Sequence, residues 1–391
     1  MITRVYINNF KGLRDFTIDF TRPFTAIAGR NGAGKTSICQ ALDLLGRLVN
    51  ARPADVMSEL DADLIRNKWA PSSNIVLEVD AEIPWMNAQT ASKLKWRLGI
   101  SKKKGWGIAE EEVTREGADI PGSPGYLPSG CVLRRKWRKI SVFNCQTTKW
   151  EDENKELPSY ISTVSEETKQ KYPDLYDLKQ NLLFRYIPFL NPVFLRQRTR
   201  ETELGSQGEN FASYLHQFSR SNKTGFEEVT RQLINFFPRL RSLRPTRSKF
   251  GWTEVQVTQE ILGDKDVTFR AGQVNDGLLR LAAIATLPYA DKSLRLVIIE
   301  EPENGMHPRL LDQTVQLLRS FSQHNLQVIV TTHSPVLLNF LKPEETIVLC
   351  GNGKSGPKSK RFSELPSGLK RLNYFDIGDV IYEVGEEKLL K

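Results

Sequence analysis

Residues 24–39 read FTAIAGRNGAGKTSIC, and this stretch decides the fold. Its first five residues are an apolar run of the kind buried in a parallel sheet. Gly29 to Thr36 then meets every constrained position of a phosphate loop, G-x-x-x-x-G-K-T. Glycines at those positions let successive backbone N–H groups turn inward around a phosphate, at the positive end of the next helix. The following residues, SICQALDLLGRLVN, repeat apolar side chains at helical spacing, which completes strand, loop and helix. Lys35 is expected to reach the β- and γ-phosphates of a nucleotide, and the Thr36 hydroxyl to bind Mg²⁺. The expected nucleotide contacts are Arg30, Asn31, Gly32, Ala33, Gly34, Lys35, Thr36 and Ser37.

Two later segments repeat one design, an apolar strand that ends in polar groups. Leu296-Val297-Ile298-Ile299 runs into Glu300-Glu301-Pro302, so two carboxylates stand at the carboxyl end of a buried strand. Ligands of open α/β sheets bind at that end. Glu300 is expected to hold the metal or its water, and Glu301 to polarise the water that attacks the γ-phosphate. Val328-Ile329-Val330-Thr331-Thr332 runs into His333-Ser334-Pro335, where His333 can hydrogen-bond the γ-phosphate. Between the two, Glu303 to Pro308 either approaches a partner subunit or forms a helix-entry turn with Pro308 near the first helical position.

Working outward, residues 2–8 and 15–20 read as an antiparallel strand pair and 74–82 as another strand. Character changes at 86–150. There Lys93, Lys95, Arg97, Lys102, Lys103, Lys104, Arg134, Arg135, Lys136, Arg138 and Lys139 interleave with Trp96, Trp106 and Trp137 around a loop-forming PGSPGYLPSG. Residues 151–245 read as mostly helical, without a sustained heptad pattern. From Trp252 onward strands alternate with helices, which implies a largely parallel sheet, and GNGKSGPKSKR reads as a flexible basic loop. The expected divisions are 1–85, 86–150, 151–245 and 246–391: an N-terminal lobe, a basic β-rich insertion, a helical insertion and a C-terminal lobe.

The formal net charge is +9, with a pI near 9.2. This fits a Lys-rich soluble surface or an electropositive face for nucleic acid. The cation-and-tryptophan stretch reads in two ways: a nucleic-acid surface acting by phosphate neutralisation and stacking, or a β-rich lobe with tryptophan in its core. Cys39, Cys131, Cys145 and Cys350 are far apart, as expected of a reducing cytoplasm without a disulfide framework. No apolar run approaches the roughly 20 residues that span a bilayer, and the N-terminus lacks a signal-peptide core. The expected location is cytoplasmic, with no membrane partner.

GRNGAGKTS, VIIEEPENGMHP and VTTHSPVLL, in that order and separation, resemble the RecF/SMC-type branch of ABC ATPases. More narrowly, they are similar to the ATPase half of the overcoming-lysogenisation-defect (OLD) family and to stand-alone AAA-family ATPases of bacterial defence systems. The resemblance implies an α/β P-loop head of two lobes, a mixed β-sheet lobe with a helical insertion and a parallel-sheet core. It implies ATP completed by a second, head-to-tail protomer in a homodimer or higher oligomer. By carry-over, Lys35 and Thr36 match the Walker A lysine and magnesium ligand, Glu300 stands where many relatives have the Walker B Asp, Glu301 matches the catalytic glutamate, and His333 matches the switch histidine. Asn304 and Gly305 fall in the D-loop. Asn275, Asp276 and Gly277 occupy the signature position, with Asn275 where relatives generally have Ser; like Asn304 and Gly305, they are candidates to act in trans. Lys11 is a further phosphate or base contact, or a solvated lysine.

The expected function is an Mg²⁺-dependent ATPase, the sensor, motor or scaffold subunit of an anti-phage system. Because the chain ends soon after the ATPase core, a separate effector, a nuclease or toxin, is expected. The alternatives are a nucleotide-gated scaffold without turnover and a RecF-like DNA repair ATPase.

Overall fold

The chain opens with β1 (Ile2–Asn8), β2 (Phe16–Asp19) and β3 (Phe24–Ala28), and the third departs from the first two. β1 and β2 pair antiparallel with Val5 opposite Ile18. β3 is buried at every position, as in a strand covered on both faces. In this computed structural model all residues are described except 61–64, 69–73, 85–90, 103–104, 117–129, 156–157, 262–264, 292, 352–355 and 391.

The first sheet continues through β4 (Ile75–Pro84), β5 (Ala91–Ser101), β6 (Gly107–Glu116), β7 (Gly130–Lys136), β8 (Lys139–Asn144) and β9 (Lys149–Asn154). Its order is β2-β1-β4-β5-β6-β7-β8-β9, antiparallel throughout. β4 and β5 pair from Ile75 opposite Ile100 to Pro84 opposite Ala91. The division at residue 85 thus falls inside a strand connection, and residues 86–150 lengthen the first sheet instead of forming a separate insertion.

The alternation of β5 explains its tryptophan. Leu94, Trp96 and Leu98 share the buried face, and Trp96 Nε1 donates to Glu111 Oε1 at 3.2 Å. Trp96 is core, so it is no stacking platform. Arg66 and Lys102 lie over the half-buried Trp106 ring, and Trp137 is exposed. Several cations face acids on neighbouring strands: Arg97 with Glu78 at 3.0 Å, and Lys95 with Glu78, Lys93 with Glu82 and Arg134 with Glu112, each at 3.8 Å. Lys103, Lys104 and residues 121–129 of the expected loop lie outside the described residues.

Residues 151–245 are less helical than expected, because they carry β10 (Phe184–Ile187) and β11 (Leu240–Arg247). β11, β12 (Thr253–Ile261) and β13 (Lys265–Arg270) form a small antiparallel sheet. β10 instead edges the core sheet, together with β14 (Leu296–Glu300), β15 (Gln327–Thr332), β16 (Thr346–Cys350) and β17 (Lys358–Arg361), in the order β10-β14-β15-β3-β16-β17. The first five are parallel and β17 is antiparallel. β17 takes up the end of the expected GNGKSGPKSKR loop, whose residues 352–355 lie outside the described residues.

The core sheet divides two hydrophobic cores by its own alternation. Leu296, Ile298, Ile27 and Ile329 pack with the first sheet and with α1 (Lys35–Leu48). Val297, Ile299, Ala26 and Val330 pack with α2 (Phe211–Ser221) and α3 (Asp276–Ala290) on the other face. Such two-sided burial is why these strands read as continuous apolar runs. Register sets Thr332 opposite Ala28 and Glu300 opposite Thr331, so β3, β14 and β15 end level with one another. Among the described residues no helix is long and apolar enough to cross a membrane.

Glu111 of β6 joins the first sheet to the segment after it. Fully buried, it accepts from Trp96, from Ser159 Oγ and from Tyr160 N at 3.0 Å, and lies 3.5 Å from the buried guanidinium of Arg135. Burial raises its pKa, and the Ser159, Tyr160, Arg135 and Trp96 contacts oppose that. Removing the acid strands a buried cation, which costs about 3–5 kcal/mol. Glu111→Ala is expected to lower unfolding stability by about that much in denaturant titration; a change within about 0.5 kcal/mol, the size of an ordinary surface substitution, would contradict this reading.

Candidate nucleotide-binding site

The loop that leaves β3 is shaped by two glycines. A Cβ on Gly29 would lie 2.5 Å from the Leu349 carbonyl oxygen of β16, and Gly34 has φ 109°. Neither place tolerates a side chain without displacement or strain. α1 starts at Lys35 with no acid in its first turn and no side-chain cap, so its positive end is left for an anion. Arg30, Asn31, Gly32, Ala33, Gly34, Lys35, Thr36 and Ser37 all fall in this loop or the first turn of α1.

Lys35 is buried, and its Nζ donates to the carbonyls of Gly29 at 2.5 Å and Arg30 at 3.1 Å. Burial holds the ammonium below its usual pKa; the charges of Glu301, Glu303, Glu300 and Glu386 act against that. Among the described residues Lys35 is tethered only to its own loop, and a desolvated cation so held can exchange those carbonyls for phosphate oxygens. Beside it, Thr36 Oγ1 donates to Glu300 Oε2 at 2.6 Å. Tyr186 of β10 donates to the other oxygen of Glu300, and burial followed by this bond pushes the phenol pKa up, so it remains the donor. Phe184 fixes β10 by packing on Gly46 of α1, where a Cβ would come within 2.9 Å of the ring. A hydroxyl and a carboxylate held side by side suit Mg²⁺, which takes oxygen ligands and binds through one or two protein groups plus substrate phosphates.

Glu301 takes φ 45°, an uncommon conformation for a non-glycine residue. Its N–H donates to Thr331 O at 2.9 Å, which ties the turn to β15. Asn304 Nδ2 donates to Glu301 Oε2 at 2.8 Å, and His333 Nδ1 lies 2.8 Å from Oε1. Register thus brings together Lys35, Thr36, Glu300, Glu301 and His333 from three distant segments. Asn304 is used within its own chain, on Glu301.

The signature-position residues lie elsewhere. Asn275 caps α3 by accepting from Leu278 N at 2.8 Å, so its amide Nδ2 is the group left to donate. Arg196 fastens the segment through the Val274 carbonyl at 2.9 Å and the Asp276 carboxylate. Arg280 of α3 is buried, donates to Leu190 O at 3.0 Å, and would crowd any Cβ on Gly305. Among the described residues, no hydrogen bond or ion pair joins 272–277 to 29–36.

Sequence reading missed Tyr186, Glu303, Arg280 and Glu386. Glu303 is buried, accepts from Thr332 Oγ1, and is held toward its protonated form by burial. Glu386 pairs with Arg30 at 3.0 Å and fixes the C-terminal segment to the loop. Of these, Glu303 and Arg280 sat inside motifs, the acid after the Walker B strand and the arginine at the end of the signature segment, but neither was given a role. Lys11 donates to Gln40 of α1, a contact that sequence did not foresee.

Two family models match the chain. One, described as "AAA ATPase domain", covers residues 1–191, and the other, described as "AAA domain, putative AbiEii toxin, Type IV TA system", covers 173–339. The Old nuclease of Escherichia phage P2 is 22% identical over 388 residues, covering 93% of this chain and 61% of that protein. The OLD nuclease of Thermus scotoductus is 23% identical, covering 86% of this chain and 59% of that protein. The chain therefore spans about three fifths of the length of these relatives. An Smc head bound to the C-winged helix domain of ScpA superposes with TM-score 0.54 at 14% identity, covering 93% of this chain and 99% of that one. This chain carries an OLD/RecF/SMC-like ATPase fold. A RecF protein of Geobacter metallireducens is 31% identical over 20% of the chain and 22% of its own length. An ABC/AAA-type ATPase fold implies nucleotide binding, and in this chain the phosphate loop, the acid-bearing end of β14 and the His333 end of β15 meet.

Tyr186→Phe removes one of the two clamps on Glu300 and leaves the loop intact. Loss of a partner that orients a metal ligand typically costs 10–100-fold in metal affinity. The Mg²⁺ concentration that half-saturates nucleotide binding is expected to rise about tenfold, with metal-free binding unchanged, as measured with a fluorescent ATP analogue. Equal Mg²⁺ dependence in both proteins would remove Tyr186 from this role.

Proposed function

We propose that the chain is an Mg²⁺-dependent ATPase whose heads pair around ATP and separate on hydrolysis. Glu301 carries this reading. It stands at the end of a buried strand beside the phosphate loop, and both of its oxygens are engaged, by Asn304 and by His333. In the proposed mechanism the loop N–H groups and Lys35 bind the phosphates, with Lys35 leaving the Gly29 and Arg30 carbonyls. Thr36 and Glu300 would hold Mg²⁺, which when bound would supply positive charge against the phosphates. Glu301 orients the attacking water and accepts its proton, and His333 keeps the carboxylate aimed. A general base positioned in this way contributes about 10²–10⁴-fold.

Asn304 supports head pairing. It belongs to the segment that ends at Gly305, packed against Arg280 of α3, and its amide holds Glu301. A second head touching 304–305 or the start of α3 therefore acts on the base directly. Asn275, Asp276 and Gly277, at the helix start, are the groups that the partner's nucleotide would meet.

The same reading assigns the protein to a defence system as sensor or motor, with a separate nuclease or toxin as effector; the likeness to OLD nucleases and to the AbiEii-type model supports it. Nucleic acid is a further proposed ligand, at the exposed Trp137 and Trp150 end of the first sheet, since Trp96 is core.

Phosphate release tests the chemistry. Wild-type protein is expected to turn over ATP, Lys35→Ala to lose nucleotide binding, and Glu301→Gln to keep binding while losing at least about 10²-fold in rate. Full turnover by Glu301→Gln would remove it as the base, and absence of turnover in wild type with and without DNA would favour a nucleotide-gated scaffold.

A further inference from the structure

Two segments of this chain carry opposite charge and expose aromatic rings. Residues 239–252 hold Arg239, Arg241, Arg244, Arg247 and Lys249 and no acid. Residues 374–387 hold Asp376, Asp379, Glu383, Glu386 and Glu387 and no base. The basic segment ends in the β11–β12 hairpin tip, where Phe250 is 83% exposed and Trp252 lies half-open beneath Arg200, 4.3 Å from the ring centre. The acidic segment includes α4 (Ile377–Val384), and here Tyr374 is 83% and Tyr382 79% exposed. Exposed rings beside charge of one sign offer apolar contact area that a partner of opposite charge can cover.

The fold places each segment beside one half of the proposed ATP site. Thr253, next to Trp252, pairs with Thr199, and the neighbouring Arg198 meets Glu254 at 2.7 Å. Glu254 also faces Arg270 at 3.8 Å, directly before the signature-position segment, which Arg196 fastens. The acidic segment flanks the phosphate loop. A cavity of about 300 Å³ between them is lined by Gly29, Arg30, Asn31, His333, Tyr382 and Glu386. Only Glu386 of its acids is in an ion pair among the described residues, while Arg244, Arg247 and Lys249 have none.

The geometry points to a second copy of this chain as the occupant of both patches: the hairpin tip of one head docks on the acidic, tyrosine-bearing helix of its partner. This deepens the head-pairing reading and rests on it. The signature position and the phosphate loop lie apart within one chain, so a head that brings its signature segment to a partner's loop also brings its arginines and Phe250 toward that partner's α4. Two-fold symmetry makes the contact twice. Opposite charges set orientation and encounter rate, and the buried rings supply contact area.

The test is charge exchange, read by sedimentation velocity with Mg²⁺ and a non-hydrolysable ATP analogue. Arg247→Glu with Lys249→Glu makes the hairpin acidic, and Asp376→Lys with Glu383→Lys makes the helix segment basic. Each double variant alone is expected to weaken pairing at least about tenfold, while the two mixed recover pairing within about threefold, since each remaining contact joins unlike charges. Fluorescent-nucleotide binding and circular dichroism establish that the variants fold. Phe250→Ser and Tyr382→Ser, which carry no charge change, are expected to weaken pairing without being rescued by mixing. Variants that pair like wild type, or a mixture no better than its components, overturn the contact. Loss of DNA binding with pairing intact would assign the hairpin to nucleic acid instead. If wild-type protein binds the analogue and stays monomeric, head pairing itself is wrong.

Discussion

The structure depends on the level ends of three parallel strands. β3, β14 and β15 are buried on both faces, and their register sets Glu300 opposite Thr331 and Thr332 opposite Ala28. Every polar group that follows them emerges at one edge. The loop with Lys35, the acid pair and His333 meet for that reason, although 264 positions separate Thr36 from Glu300 and 32 separate Glu301 from His333. A one-residue slip of β14 would send the strand's side chains to the opposite core and carry Glu300 away from Thr36.

The site is held tense around a buried ammonium. Lys35 is drawn to backbone carbonyls because nothing else in its loop accepts from it, while four carboxylates nearby support its charge. The acids are restrained as well. Glu300 is held between Thr36 and Tyr186, and Glu301 between Asn304 and His333. Such restraint limits the reorganisation needed when a nucleotide arrives. It also joins the site to two elements from outside it, β10 and the turn at 304–305, through which a neighbour can act.

The site was legible in the sequence because its chemistry sits at strand ends with strict local signatures. A loop with glycines at fixed places, and apolar tetrads ending in acids or histidine, announce themselves without tertiary information. Residues 86–150 misled because charge and tryptophan content say nothing of which strand faces which. Trp96 and Glu111 share an interior, and many of the cations answer acids across the sheet. Tyr186 was invisible, since FRYI gives no sign that its strand joins the core sheet beside β14. Glu386 was missed for the same reason: its partner Arg30 lies 356 positions earlier in the chain, and nothing local marks the pair.

The central claim is that one triphosphate meets the loop and both acids. A crystal structure with Mg²⁺ and a non-hydrolysable ATP analogue tests it most directly. The account predicts phosphates cradled by residues 29–36, Lys35 Nζ moved from the Gly29 carbonyl onto phosphate oxygen, and Glu300 and Glu301 turned to the metal and the γ-phosphate. A nucleotide bound elsewhere, or bound here with Lys35 still on its own carbonyls and both acids facing away, would contradict it.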